Sequence, residues 1–375
     1  MLSSISNFEA ATIAPEFARR VTPALTPARQ AHRSAPRVAR SAGPADRVPR
    51  DMGRAWLIGL VGAVAILAAL EFTCRRLGLR PMVKDDERLW ALARDNMRPD
   101  DPDQIALVGT SRTHQDFDPK IFSHEMGGAP VAQLAVDGST GLLVLDDLSR
   151  DEHFRGLVVL DVVPWAVFGN MNYQDPASRA FLDYHGHESW ATAFEGRIRV
   201  VEQLAFAFHQ LNFRNLVRDI RKHRRPNWSQ AYISEADRTA GVHWSLTTSE
   251  QMEVPQAHLM TATTCVPPSL LPENLKTLET MIKRIEARGG RVALVVLPST
   301  GIVGDHEHAF CPRDRYWDVL AAETSAVTFN WMDDPRLSKF KCPDGSHLDM
   351  RDQPEFTRIV VEDLREKLRA RQLIP

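Results

Sequence analysis

The sequence predicts an α/β fold, a parallel β-sheet covered by helices, with one helix ahead of it that is long enough to cross a bilayer. Three observations predict this. Short apolar runs, each closed by turn residues, alternate with helical patterns between Ile105 and Val163. That is the strand–helix–strand rhythm of a parallel sheet. The same rhythm returns after Pro272 and runs to the C-terminus, and an unbroken apolar stretch, Ala55 to Leu70, precedes both.

Residues 1–54 carry nine Arg, no Lys, four acids and six Pro, without sustained periodicity. They are expected to form a disordered basic segment, although an Arg-rich, acid-poor start also resembles an organelle transit peptide. The apolar run, extended through Glu71 to Cys74, gives about 20 residues, the length of a transmembrane helix. A lipid bilayer is therefore the expected partner of residues 55–74. A buried core helix is the alternative. A cleaved signal peptide fits less well, since a long segment precedes the run and no small-residue cleavage site follows it. Gly59 and Gly62 are three apart and make no GxxxG motif. Arg37, Arg40, Arg47, Arg50 and Arg54 lie before the run, and Arg75, Arg76, Arg80, Lys84, Arg88 and Arg94 after it. The positive-inside count therefore does not orient the helix.

Residues 75–104 read as a juxtamembrane connector with at most a short helix over Lys84–Asn96. The domain proper is expected over 105–375. Ile105–Val108 is the first strand. Asp118-Pro119 opens a helix with Pro at its first position. Pro130–Val136 is the next strand, followed by a helix from Leu142 to Leu148, and Leu157–Val163 is a third buried strand ended by Pro164. Residues 166–268 break the rhythm and are expected to be a helical insertion over one sheet edge, a lid or acceptor site. Gly186–Arg225 read largely helical, with Leu204, Phe208, Leu211 and Leu216 on one face. The basic cluster Arg218–Arg225 is either a solvated helix end or a contact for anionic lipid or glycan. Beyond it, Leu275, Leu278, Met281, Ile282 and Ile285 form a helical stripe. Strands at Arg291–Leu297 and Val327–Trp331, a helix at Tyr316–Ala322, and a helix from Pro354 carrying Phe356, Ile359, Val360, Leu364 and Leu368 complete the chain.

The formal net charge is -2, but residues 75–375 hold 37 basic and 43 acidic side chains, which argues against nucleic acid as a partner. Of the four cysteines, Cys311 and Cys342 share the loop-rich stretch before the last helix. A disulfide there would suit an oxidising compartment, with free thiols as the alternative. The cysteine spacings match no zinc pattern. The clusters His185-Gly186-His187-Glu188 and Asp305-His306-Glu307-His308 lack H-E-x-x-H spacing. No phosphate loop or dinucleotide fingerprint occurs. No metal and no cofactor are expected.

The chemistry is expected at Ser111. Ligands of open α/β sheets bind beyond the carboxyl ends of the strands, and Ser111 follows the first strand by three residues. A serine hydroxyl is a weak nucleophile and needs a base. Asp344 and His347, three apart before the last helix, can supply a base and a carboxylate that fixes its tautomer. Ser346 also neighbours the base but would point away from it in most turns. Ser139 is in no G-x-S-x-G elbow.

These residues resemble the blocks of the SGNH, or GDSL-like, hydrolases, and within them the membrane-anchored group related to alginate and cell-wall O-acetylation proteins. Gly109-Thr110-Ser111-Arg112 looks like the nucleophile block. Gln133-Leu134-Ala135-Val136-Asp137-Gly138 is similar to the second block, whose glycine NH serves the oxyanion hole. Leu157–Asp161 stands where the third-block strand ends, and Asp344-x-x-His347 is similar to the D-x-x-H block. The resemblance covers about 105–165 and 270–370. It implies a flavodoxin-like three-layer sandwich, with Ser111, His347 and Asp344 catalytic and the NH groups of Ser111 and Gly138 as the oxyanion hole. Arg112, Gln133 and Asp161 become candidate substrate or oxyanion contacts. Gln133 replaces the usual Asn, and Asp161 stands near a position where the plain hydrolases have an Asn donor. A carboxylate there would repel an oxyanion.

The activity implied is that of a membrane-anchored serine esterase or O-acyltransferase, working through an acyl-enzyme on a cell-envelope polysaccharide. Its implied partners are an acyl donor, a polysaccharide acceptor and a membrane-bound acyltransferase. The implied location is a bacterial inner membrane, crossed once, with the C-terminal domain in the periplasm. Two alternatives stay open: a catalytically degenerate scaffold that binds glycan or assembles an exopolysaccharide complex, and a cytoplasmic domain acting on a different ester.

Overall fold

The computed structural model describes residues 52–164, 175–187, 231–247 and 267–374, together with Phe168, Ser189, Phe194, Leu204, Ala205, Arg221 and Cys265. The expected disordered segment lies outside the described residues up to residue 51. So do nearly all of the expected insertion helix and its basic cluster.

Among the described residues the strands are β1 (Ile105–Val108), β2 (Val131–Gln133), β3 (Leu157–Asp161), β4 (Tyr232–Ser234), β5 (Ala240–Val242), β6 (Arg291–Val296) and β7 (Val327–Asn330). The helices are α1 (Met52–Arg76), α2 (Glu87–Asp95), α3 (Ser111–Asp116), α4 (Pro119–Glu125), α5 (Leu142–Arg150), α6 (Pro176–Gly186), α7 (Leu271–Glu286), α8 (Gly301–Phe310), α9 (Trp317–Glu323) and α10 (Gln353–Ala370).

Five strands form one parallel sheet in the order β2-β1-β3-β6-β7, and β4 and β5 form a separate antiparallel pair. The parallel α/β architecture read from the sequence is therefore observed. β1 and β3 are buried along their whole length and β6 at its four inner positions, as a sheet covered on both faces requires. Successive side chains point to opposite faces, which splits the apolar residues into two cores. Ala106, Val108, Val158, Leu160, Val292 and Leu294 pack with Leu145, Leu148, Leu278, Ile282 and Ile285 of α5 and α7. Ile105, Leu107, Val159, Ala293 and Val295 pack with Phe117, Phe122, Phe356, Val360 and Leu364, from α4, α10 and the turn before α4.

Local chemistry sets the helix starts. Asp118 accepts from the backbone NH groups of Lys120 and Ile121 at 2.8 and 3.1 Å, with Pro119 in the first turn of α4. Asp86 caps α2 by accepting from Leu89 N at 3.2 Å. The connector reading of 75–104 is incomplete, because α2 belongs to the core. Trp90 is fully buried and donates its Nε1–H to Leu134 O at 2.9 Å. A single tryptophan among charges was too sparse a pattern to reveal this.

α1 has 25 residues, none of them buried. At 1.5 Å per residue it is about 37 Å long, and it is long and apolar enough to cross a membrane.

Three other readings change. The disulfide joins Cys265 to Cys311, not Cys311 to Cys342, and Cys342 is a buried free thiol that donates to Pro298 O. The Asp305–His308 cluster, where the sequence predicts no helix, lies on α8. The expected helical insertion over 166–268 contains the β4–β5 hairpin.

Candidate functional site

The site is built at the carboxyl end of β1. Gly109 turns the chain with φ +147°, and a Cβ there would fall 1.9 Å from Asp161 Oδ1. Only glycine fits this turn. Gly141, with φ +72°, packs against it so closely that its own Cβ would lie 2.6 Å from Gly109 Cα. Thr110 then caps α3, its Oγ1 accepting from Arg112 N at 3.1 Å. Ser111 is the first residue of that helix.

The structure brings the three residues singled out as nucleophile, base and orienter into one hydrogen-bonded chain. His347 Nε2 is 2.8 Å from Ser111 Oγ, and His347 Nδ1 is 2.6 Å from Asp344 Oδ2. Asp344 Oδ1 also accepts from the NH groups of Ser346 and His347 at 3.0 and 2.8 Å. The Asp-x-x-His spacing thus folds as a turn tied down by its own carboxylate. Burial pushes the Asp344 carboxyl up, but the facing His347 and the two NH donors outweigh it, so the group stays below its ordinary pKa. Burial likewise lowers the His347 imidazolium, and Asp344 more than offsets this. Asp116 and Asp137 add to the effect, so His347 titrates above its ordinary value. Ser346 does not point away: its Oγ lies 2.9 Å from His347 Nδ1.

The other candidate residues fall into different positions. Asp161, at the end of β3, is buried under the Gly109 turn. Its Oδ1 accepts from Thr110 N at 3.0 Å and its Oδ2 from Thr110 Oγ1 at 2.7 Å. Both oxygens brace the turn that presents Ser111, in place of the substrate or oxyanion contact expected of this position. Gln133 is also turned inward, donating to Thr113 O and accepting from Ala135 N, both at 3.2 Å. Arg112 is buried against Glu307, with Nη2 2.5 Å from Oε1. Its burial opposes the charge, but Glu307 holds it firmly protonated. Gly138 is exposed, with φ +73°, in the turn after β2. That turn is docked on the nucleophile turn, since Val136 N and Ser139 Oγ both donate to Gly109 O, at 3.0 and 3.2 Å.

Three further residues, His114, Asp116 and Arg238, were missed at the level of sequence, and a fourth, Glu307, was singled out there only within a candidate metal cluster. His114, fully buried one turn after Ser111, places Nδ1 2.8 Å from Asp137 Oδ1 beside Gly138. Asp116, also fully buried, accepts from Leu348 N at 2.9 Å and so ties α3 to the His347 loop. Its other oxygen has no hydrogen-bond partner among the described residues, and burial lifts its pKa to about 7. Arg238, from the hairpin, is fully buried. It pairs with Asp85 at 2.6 and 2.8 Å and donates to Gln133 O and Ala135 O, clamping the end of β2. Glu307 accepts from Ser299 Oγ at 2.6 Å as well as from Arg112. Two of these had a visible signal, since His114 and Asp116 share the short helix of Ser111.

His185, one of the metal candidates, places Nε2 3.0 Å from Asp95 Oδ1 in a hydrogen bond. Among the described residues no group of three His, Cys, Asp or Glu is placed to hold a metal.

Comparison with protein-family models, with curated proteins and with solved structures finds no match. The chain is thus defined by its own architecture: an α/β protein with a parallel sheet and a Ser–His–Asp chain at the carboxyl edge of that sheet.

Proposed function

We propose that this chain is a membrane-anchored serine esterase or O-acyltransferase of the SGNH type, acting on an acyl ester of a cell-envelope polysaccharide. The observation that carries the reading is the continuous chain from Ser111 Oγ through His347 to Asp344, at 2.8 and 2.6 Å. Such geometry suits a nucleophile, its base and the group that orients the base. The strand order, which in sheet strands alone reads 2-1-3-4-5, supports a flavodoxin-like sandwich.

In this reading Ser111 Oγ attacks the acyl carbonyl while His347 Nε2 takes its proton. The carbonyl oxygen becomes an oxyanion held by the NH groups of Ser111 and Gly138. When the C–O bond of the ester breaks, His347 returns the proton to the departing alkoxide. The acyl group is then on Ser111. A water or a sugar hydroxyl attacks it, again losing its proton to His347, which passes that proton to Ser111 Oγ as the acyl–Oγ bond breaks. Asp344 stays a carboxylate throughout, accepting the hydrogen bond from His347 Nδ1–H.

α1 anchors the domain in the inner membrane in this reading. The Cys265–Cys311 disulfide supports a periplasmic domain, because disulfides persist in oxidising compartments. An acyl donor and a membrane-bound acyltransferase are the partners proposed for the transferase variant.

A second reading has its own observation. Asp161, near where an oxyanion-donating Asn would stand, gives both its oxygens to Thr110. A scaffold that binds glycan without turnover would also fit that. Full-length protein in detergent, assayed with acetylated oligosaccharides and p-nitrophenyl acetate, separates the two. Turnover abolished by Ser111→Ala and by His347→Ala supports the enzyme. Equal rates in wild type and both variants refute it.

A further inference from the structure

A cavity of about 310 Å³ opens beyond the carboxyl ends of β3, β6 and β7, bounded on its far side by α8. We infer that this cavity is the subsite for a neutral sugar ring of the substrate, holding the part of the molecule that does not react. The inference rests on the enzymatic reading above and names where the remainder of the substrate binds.

Its position argues for it. Neither Ser111 nor His347 lines the cavity, so it cannot hold the acyl group that becomes attached to Ser111. It is nevertheless built onto the site. Glu307 of its wall pairs with Arg112, the residue after Ser111, at 2.5 Å. Thr300, also in the wall, donates its NH to Gly345 O at 3.0 Å and accepts from Cys342 N at 2.9 Å. Both partners flank Asp344. Gly345 packs so tightly on α8 that a Cβ there would fall 2.5 Å from Val303 Cγ2. A group seated in this cavity therefore sits against the same loop that carries His347.

Its chemistry argues for a neutral, amphipathic ring. Phe168, Trp317 and Trp331 supply aromatic wall, with Trp331 the most exposed of the three. A tryptophan offers an apolar face and a polar edge, which matches the C–H face and hydroxyl rim of a pyranose. The charged residues inside are already neutralised. Glu307 is paired with Arg112, and Arg313 with Asp333 and Asp318 at 2.6 and 3.0 Å. A phosphate finds no uncompensated cation among them, and the remaining carboxylate of the lining, Asp305, is exposed to water rather than set inside. Asp305 and His308 stand exposed at the rim, where they can meet hydroxyls. The volume is at the small end of ligand pockets, about 300–1,000 Å³, and so suits one ring better than an extended chain. Binding energy gained here, away from the reacting carbonyl, is the kind that orients a substrate for attack.

The test uses full-length protein in detergent. In the Ser111→Ala background, tetramers of glucose, mannose and N-acetylglucosamine are titrated against tryptophan fluorescence. The inference expects a saturable change with at least one of them, lost in Trp331→Ala and partly restored in Trp331→Phe. With active enzyme, Trp331→Ala should raise KM for an acetylated tetramer about tenfold more than KM for p-nitrophenyl acetate. No saturable change with any tetramer overturns the inference, as does a KM increase of the same size for both esters. Because the titration needs no turnover, it decides the subsite even if neither ester is hydrolysed. That second outcome would sink the enzymatic reading alone.

Discussion

Asp161 separates two accounts of the third strand's end, and replacing it tells them apart. As a brace, it satisfies Thr110 N and Thr110 Oγ1 from a buried position. Asp161→Ala leaves both donors without a partner, and each buried orphan costs about 1–3 kcal/mol. A loss near 3 kcal/mol follows, which for a domain of this size lowers Tm by roughly 6–12 °C. Activity should fall further than stability accounts for, because the freed turn carries Ser111 and a 1 Å displacement can cost about 100-fold. Asp161→Asn should behave differently. Burial raises the Asp161 pKa despite the two Thr110 donors and Arg112, so its charge costs the fold at neutral pH. The isosteric amide removes that charge, keeps an acceptor for Thr110 N, and lets the Thr110 hydroxyl reverse its role. Its Tm should lie within about 3 °C of wild type, roughly the shift from 1 kcal/mol. Its kcat for p-nitrophenyl acetate should not exceed wild type. If Asp161 instead faces the oxyanion, Asp161→Asn supplies a donor, and kcat should rise by about 10²–10³. A rise of that size refutes the brace.

Three further outcomes follow from the same contacts. His347 must be neutral to accept the Ser111 proton, and its pKa is raised. The acid limb of kcat/KM should therefore lie above the ordinary histidine value of 6.5. Asp116, itself pushed to about 7 and facing His347, Arg112, Asp344 and Cys342, should titrate together with it. Asp116→Asn removes a charge that favours the imidazolium, so the limb should move to lower pH. A limb that stays in place, or moves upward, contradicts the coupling. The Cys265–Cys311 bond closes a span of 46 residues, worth about 4 kcal/mol of loop entropy. Thermal unfolding of the Cys265→Ser, Cys311→Ser double variant should show a correspondingly lower Tm, insensitive to reductant. Glu307→Gln leaves Arg112 charged and buried, at a cost of about 3–5 kcal/mol, whereas the double change Arg112→Met, Glu307→Leu should recover most of it. Chemical denaturation of the two variants measures the difference.

The parts of this molecule that were legible in its sequence are those written locally. β1 and its turn appear as an apolar run closed by Gly109, since a buried parallel strand needs the first and the tight approach of Asp161 needs the second. Asp344 and His347 meet because their pairing is three residues long and its turn is capped by Asp344 itself. What stayed hidden is non-local or weakly patterned. Arg238 reaches Asp85 across 153 residues, from a hairpin whose strands are three residues each. Neither its element nor its partner leaves a periodic trace. α8 escaped because its Gly, Asp and His content is poor in helix formers. Cys265 lies in a stretch without pattern, so nothing in the spacing favoured it over Cys342 as the partner of Cys311. The charge conflict at Asp161 was visible, but its resolution needed coordinates, since the approach of Gly109 and the Thr110 donors show which way the carboxylate faces.

The central claim is that His347 and Asp344 make Ser111 a nucleophile. Intact-mass spectrometry after treatment with a fluorophosphonate tests it most directly. The account predicts one adduct per chain, mapped to Ser111 in the peptide digest, absent in Ser111→Ala and strongly slowed in His347→Ala. Folded wild-type protein that takes up no label, or takes it up at Ser346 or elsewhere with Ser111 untouched, would contradict it.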